Sequence, residues 1–222
     1  MSINKAYSGP QDMPHIIGVF PLSGALLLPR GQIPLNIFEP RYLALIDDAM
    51  RNHRVIGMIQ PVADAPAESA KPPLQAVGCA GRITQLAETG DGRYVLTLSG
   101  IARFRVEEEL VVMTPYRQCR VFFGPFADDF IASHGEAEVD REGVLRSLKD
   151  FASANKLKVD WDSINDAPNE ALVNALSMMS PFGPKEKQAL LEAADLRLRA
   201  DVLIAISEME VAKSSGTSTS LQ

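Results

Sequence analysis

The sequence predicts an α+β fold, a small β-barrel followed by a helical bundle. Three observations carry this. Between about residues 16 and 123, apolar residues come in short runs or alternate with polar ones, the period of strands. Beyond about residue 130 they recur every three to four positions, the period of helix faces. The two patterns follow one another without alternating, which argues for separate β and α parts over repeated strand–helix–strand units.

Residues 1–13 are polar and contain Gly and Pro, and read as a flexible tail. Ile16–Phe20 is the first predicted strand. Ile33–Phe38 is the second, and Pro34 confines it to an edge or a bulge. One helix interrupts the strands: Pro40 suits its first turn, and Tyr42, Leu45, Ile46 and Ala49 share a face. Arg54–Gln60 returns to strand, and residues 63–75 form an exposed Pro/Ala-rich loop. A hairpin follows. Val77, Cys79, Gly81, Ile83 and Gln85 alternate with smaller or polar neighbours, Gly90-Asp91-Gly92 makes the turn, and Tyr94, Leu96 and Leu98 return on one face. Gly100 permits a bend or bulge into Ile101–Val106, and Tyr116–Phe123 is the last strand.

The second part is helical. Val144, Leu148, Phe151 and Ala152 line one helix, and Leu172, Ala175, Leu176 and Met179 line another. Pro181, Gly183 and Pro184 end that helix and start Lys185–Ala193. The last helix runs from about Asp195 to Met209, with Leu198, Val202, Ala205, Ile206 and Met209 as its buried face. The implied organisation is a tail (1–13), a β-domain (14–125), a helical bundle (126–212) and a second flexible tail (213–222).

Composition narrows the function classes. With 222 residues, 46% hydrophobic and 23% charged, the chain can bury a real core. Its net charge of −6 lacks the basic surplus of proteins that live on phosphate contacts. No signal-peptide layout opens the chain and no apolar run approaches a bilayer-spanning length, so the expected compartment is the cytoplasm, with no membrane partner. Cys79 and Cys119 read as reduced, half-buried thiols.

Several stretches resemble the substrate-binding N-terminal domain of the Lon protease family. IIGVFPLSGALLLPRGQIPLNIFEPRYLALIDDAM (16–50) is similar to its opening, and Phe38-Glu39-Pro40-Arg41-Tyr42 is the most specific piece. VGCAGRI (77–83) and DGRYVLTLSGIARFRV (91–106) resemble its second signature, and KEKQALLEAADLRLRADVL (185–203) the end of its helical part. The resemblance implies a PUA-like β-pseudobarrel followed by a helical bundle, and recognition of unfolded or tagged polypeptide. It also sets an expectation of no enzymatic activity, because in Lon proteases the ATPase and Ser-Lys protease modules follow this domain, and this chain ends after the bundle. Family membership fixes fold better than function.

Catalytic motifs are missing from the sequence. It holds no G-x-x-x-x-G-K-[ST] phosphate loop, no H-E-x-x-H and no G-x-S-x-G. His15, His53 and His134 lie far apart, so no metal or cofactor is expected. Ser147 and Lys149 are taken as solvated residues of a helix. Glu39 is assigned to the helix start, where a carboxylate meets unpaired amides, and Arg41 to a cross-barrel ion pair.

The candidate peptide-binding residues are Leu27, Leu28, Pro29 and Phe38. Leu26-Leu27-Leu28 run consecutively into Pro29, and a strand turns alternate residues inward, so at least one leucine is expected outside. Phe38 is placed with them, against the core role that an aromatic residue more often has. The leading reading is a non-enzymatic module that binds unfolded or extended polypeptide, alone or with a separate protease or chaperone. The alternative is a PUA-like RNA- or nucleotide-binding regulator using Arg93, Arg103 and Arg105. Nucleic acid is disfavoured by the acidic total, the 6% aromatic content and Glu107-Glu108-Glu109 beside those arginines. A hydrolase with an unrecognised site is the third class.

Overall fold

The computed structural model describes residues 6–62, 71–158 and 160–217. Among the described residues, six strands form one mixed sheet: β1 (Ile16–Pro21), β2 (Gln32–Ile37), β3 (Val55–Pro61), β4 (Leu74–Glu88), β5 (Tyr94–Glu109) and β6 (Gln118–Phe122). Their order is β2-β5-β4-β3-β1-β6, and a further β5–β6 pairing closes the sheet on itself. β5 makes closure possible through its length. Its first half pairs with β2, its second half with β6, and β4 runs along its other side. β1 and β3 are parallel, and the other pairs are antiparallel.

The barrel interior is filled with side chains. Ile17 and Val19 of β1, Val55 and Ile59 of β3, Ala80 of β4, Ala102 and Phe104 of β5, and Cys119 and Val121 of β6 form one buried cluster. Small residues face the Phe104 ring: a Cβ at Gly78 would lie 2.5 Å from its Cζ. Such a packed lumen excludes a ligand. The expected break at Gly100 is a bulge inside a continuous strand, where the β4–β5 register shifts between Ala80 and Gly81. Gly90 and Gly92 take positive φ in the hairpin turn, as their sequence signalled.

Helix α1 (Pro40–Arg51) buries Tyr42, Leu45, Ile46 and Ala49, the face its spacing predicted, and packs against β1 and β3. The opening segment departs from a frayed tail at its inner end: Pro10–Asp12 forms a 3-10 turn and Met13 sits in the barrel cluster. Of the predicted loop 63–75, residues 63–70 lie outside the described residues, and Leu74 already belongs to β4.

The helices are α2 (Arg141–Ala154), α3 (Trp161–Asp166), α4 (Asn169–Met179), α5 (Pro184–Glu192) and α6 (Leu196–Thr217). The chain forms two compact units. One comprises Met1–Ala132 and Phe182–Leu191; the other comprises Ser133–Pro181 and Glu192–Gln222. Nearly all of α5 therefore belongs with the sheet. Its Gln188 bonds the side chain of Gln60 at 3.1 Å and the Val77 carbonyl at 3.2 Å, which gives the buried Gln60 of β3 polar partners.

Within the second unit, α2 buries the predicted Val144, Leu148, Phe151 and Ala152. Two other faces are rotated from expectation. α4 buries Leu172, Val173, Asn174 and Ser177 and leaves Met179 exposed. α6 buries Leu196, Arg199, Ala200, Leu203 and Ile206, whereas Leu198 and Met209 are exposed. The cause is a polar contact inside the unit: Arg199 donates to Asn174 at 3.1 Å, so a charged residue occupies the inner face. Ser147, expected in solvent, is buried and donates to the Val144 carbonyl. Among the described residues, no helix is long and apolar enough to cross a membrane.

Candidate functional site

The first unit carries a pocket of about 270 Å³ walled by Pro21, Pro61, Pro72, Pro115, Tyr42, Tyr116, Arg41 and Arg117. Strand ends and a helix start supply it. Pro21 and Pro61 close the neighbouring parallel strands β1 and β3, Arg41 and Tyr42 come from the first turn of α1, and Pro115–Arg117 precede β6. Proline fixes its own φ and donates no backbone hydrogen bond, so these walls are stiff, and the four proline rings set apolar surface beside the polar side chains.

Each polar side chain on the wall has a defined environment. Arg117 makes a two-pronged ion pair with Glu109, at 2.9 Å and 2.6 Å, and donates to the Pro72 carbonyl at 2.8 Å. Lys71 reaches the same carboxylate at 2.7 Å. Arg117's hydrogen bonds, then Lys71, hold the Glu109 carboxyl below its ordinary range. Tyr116 donates to Asp48 at 2.8 Å, and burial first, then that bond, pushes its hydroxyl up to about 12. The Tyr42 ring lies between Phe20, at 4.3 Å between centroids, and the Arg41 guanidinium, at 4.6 Å. Burial raises the Tyr42 hydroxyl above its ordinary value, so it stays protonated.

Beside the pocket, the β5–β6 connection projects apolar side chains into solvent. Val111 and Met113 are 104% and 102% exposed, only a few residues before Pro115. Two fully solvated apolar residues on one loop are the kind of surface that partners cover. A second hollow, of about 210 Å³, shares Tyr116 and is lined also by Gly18, Leu45, Asp48 and His53. Burial lowers the His53 imidazole below its ordinary value.

Residues 16–206 match the family described as the ATP-dependent protease La (LON) substrate-binding domain. The chain belongs to this LON family. Lon protease 2 of Myxococcus xanthus is 30% identical over 203 residues, which cover 87% of this chain and 24% of that protein. The Lon protease of Anaeromyxobacter dehalogenans is 27% identical, with 87% and 23% covered. The chain thus spans about a quarter of the length of these curated relatives. A solved Lon N-terminal domain protein from Xanthomonas campestris superimposes with a TM-score of 0.59 at 25% identity, covering 86% of this chain and 97% of that one. The N-terminal domain of the Mycobacterium avium complex Lon protease shares the fold, with a TM-score of 0.61 at 19% identity and 87% and 98% covered.

Within this LON domain the predicted site residues separate. Leu26, Leu27 and Leu28 are all buried, at 2% exposure or less, and Pro29 is buried with them. The expectation of an outward leucine is therefore corrected. The segment is an irregular connection pressed onto the sheet, so strand alternation does not apply. Leu27 lies over Gly81, and a Cβ at Gly100 would collide with the Leu28 carbonyl. Phe38 stands apart from them, 61% exposed, between β2 and α1.

The charged residues also resolve. Glu39 occupies the start of α1 without capping it; its carboxylate instead takes the Arg41 guanidinium at 2.7 Å on the surface. Arg103, one of the three arginines of the nucleic-acid alternative, is buried in an ion pair with Asp129, and Arg93 pairs with Asp91 at 3.2 Å. Among the described residues, no group of three His, Cys, Asp or Glu side chains is arranged to hold a metal ion. Sequence reasoning missed Val111, Met113 and the proline walls. The run Leu110–Met113 was the available signal for the first two. The prolines come from four separate segments, and only the fold assembles them.

Proposed function

We propose that this LON domain is a non-enzymatic module that binds extended or unfolded polypeptide and passes it to a separate protease or chaperone. The supporting observation is the pairing of two fully exposed apolar residues, Val111 and Met113, with a stiff pocket walled by four prolines and two tyrosines, of which Pro115 and Tyr116 lie on the same connection as Val111 and Met113. Exposed Phe38, just before α1, adds an apolar contact within a few residues of Arg41 and Tyr42. Burying apolar side chains of a ligand against such a surface requires no particular sequence, which suits an unfolded client. Strand addition at β2 is disfavoured, because Pro34 removes a donor from that outer strand.

Reduced, carboxymethylated protein carrying a fluorophore provides the test. Val111→Ser with Met113→Ser removes two contacts, each worth up to ~1.5–3 kcal/mol when fully buried by a ligand. The expected result is binding weakened about tenfold or more with unchanged melting. Unaltered affinity in this double variant excludes the loop from the binding surface.

A further inference from the structure

We propose that the proline-walled pocket receives the C-terminal residue of a bound polypeptide, its free carboxylate held by Arg41 and the Tyr42 hydroxyl. This rests on the polypeptide-binding reading above and names the part of the chain that enters the pocket.

Three observations lead there. The first is charge. Arg41 and Arg117 line the pocket and each has a carboxylate partner: Glu39 for Arg41, and Glu109, shared with Lys71, for Arg117. Glu109 is engaged by both Arg117 and Lys71, whereas Arg41 is held only at the surface, by a carboxylate two residues away. An exposed pair of that kind is weak and exchanges readily for a better-placed anion.

The second observation is a hydroxyl. Tyr42 lines the pocket, and its hydroxyl is open to solvent there, without a hydrogen-bond partner among the described residues. The hydroxyl of Tyr116, on the same wall, is committed to Asp48. A protonated phenol beside Arg41 therefore offers a donor to an incoming oxygen, and a carboxylate has one oxygen for each group.

The third is shape. A volume of about 270 Å³ holds roughly one residue. An internal segment must enter and leave such a recess, whereas a chain end enters once. The apolar proline walls suit an apolar terminal side chain, and the terminal residue alone carries its carboxylate on the same carbon as that side chain.

The experiment uses the full chain and fluorescence anisotropy. Three short labelled peptides share one apolar sequence ending in leucine: the free acid, the C-terminal amide, and the amide with an internal glutamate. The reduced, carboxymethylated protein is titrated in parallel. The free acid is expected to bind about tenfold tighter than either amide. Arg41→Gln and Tyr42→Phe are each expected to weaken binding of the acid more than binding of the amide, so that the ratio of the two affinities falls toward one. Tyr42→Phe keeps the ring against Phe20, and a melting curve checks both variants. Equal affinity of acid and amide overturns the proposal, as does a glutamate-containing amide that matches the acid. Binding of the unfolded protein without any peptide preference overturns it while leaving the broader reading intact. If neither the peptides nor the unfolded protein bind, both readings fall.

Discussion

Asp129 takes both the main chain and the side chain of Arg103. The Arg103 amide and Nε donate to Oδ2 at 2.9 Å, and a terminal guanidinium nitrogen donates to Oδ1 at 2.8 Å. The two side chains are 4% and 9% exposed. Another guanidinium nitrogen reaches the Leu191 carbonyl, and the guanidinium lies 4.5 Å from the centre of the Phe126 ring. Through Arg103, the strand β5, the turn Gly124–Phe130 and α5 share one polar centre within the first unit.

That relationship makes a prediction about stability. Asp129→Ala leaves a buried guanidinium without its counter-charge and is expected to cost about 3–5 kcal/mol. Replacing both partners with apolar residues, as in Arg103→Met with Asp129→Leu, is expected to cost less than the single change, because no charge is then left buried. Urea midpoints of the two variants decide it. A double variant less stable than Asp129→Ala contradicts this account.

Leu28 and Phe38 make a contrasting pair, one wholly buried and the other 61% exposed. Leu28→Ala is expected to cost about 2–5 kcal/mol, the range for emptying a core leucine site. Phe38→Ser is expected to stay within about 0.5 kcal/mol of the parent. Thermal melting separates them. A Leu28→Ala variant that melts with the parent would restore the leucine run to the surface.

Glu109 ties acid sensitivity to the pocket wall. Arg117, its largest influence, holds the folded carboxyl below the ordinary value of 4.5. A depressed folded value means that its stabilisation is complete above the unfolded value and is lost as pH falls through the folded one. Glu109→Gln removes this contribution. The variant is therefore expected to be less stable than the parent at neutral pH, with the gap narrowing on acidification below about 4.5. Urea midpoints measured across that range test it, and a gap that stays constant with pH rules out the linkage.

The sequence alone carried the fold class, most element positions, the inner face of α1 and the family, because these follow from local periodicity, turn chemistry and short ordered motifs. It misjudged features whose determinants lie far apart in the chain. The leucines at 26–28 read as a partly exposed strand because alternation is a local rule, whereas their burial follows from the close approach of the small residues Gly81 and Gly100 on other strands. The faces of α4 and α6 were rotated because Arg199 bonds Asn174 inside the unit, a contact spanning 25 residues that hydrophobicity does not register. The pocket was invisible for the same reason. Pro21, Pro61, Pro72 and Pro115 are spread over nearly half the chain, and each reads alone as a strand end or a loop. Closure of the barrel through β5, a non-local pairing, brings them onto one wall beside Arg41 and Tyr42.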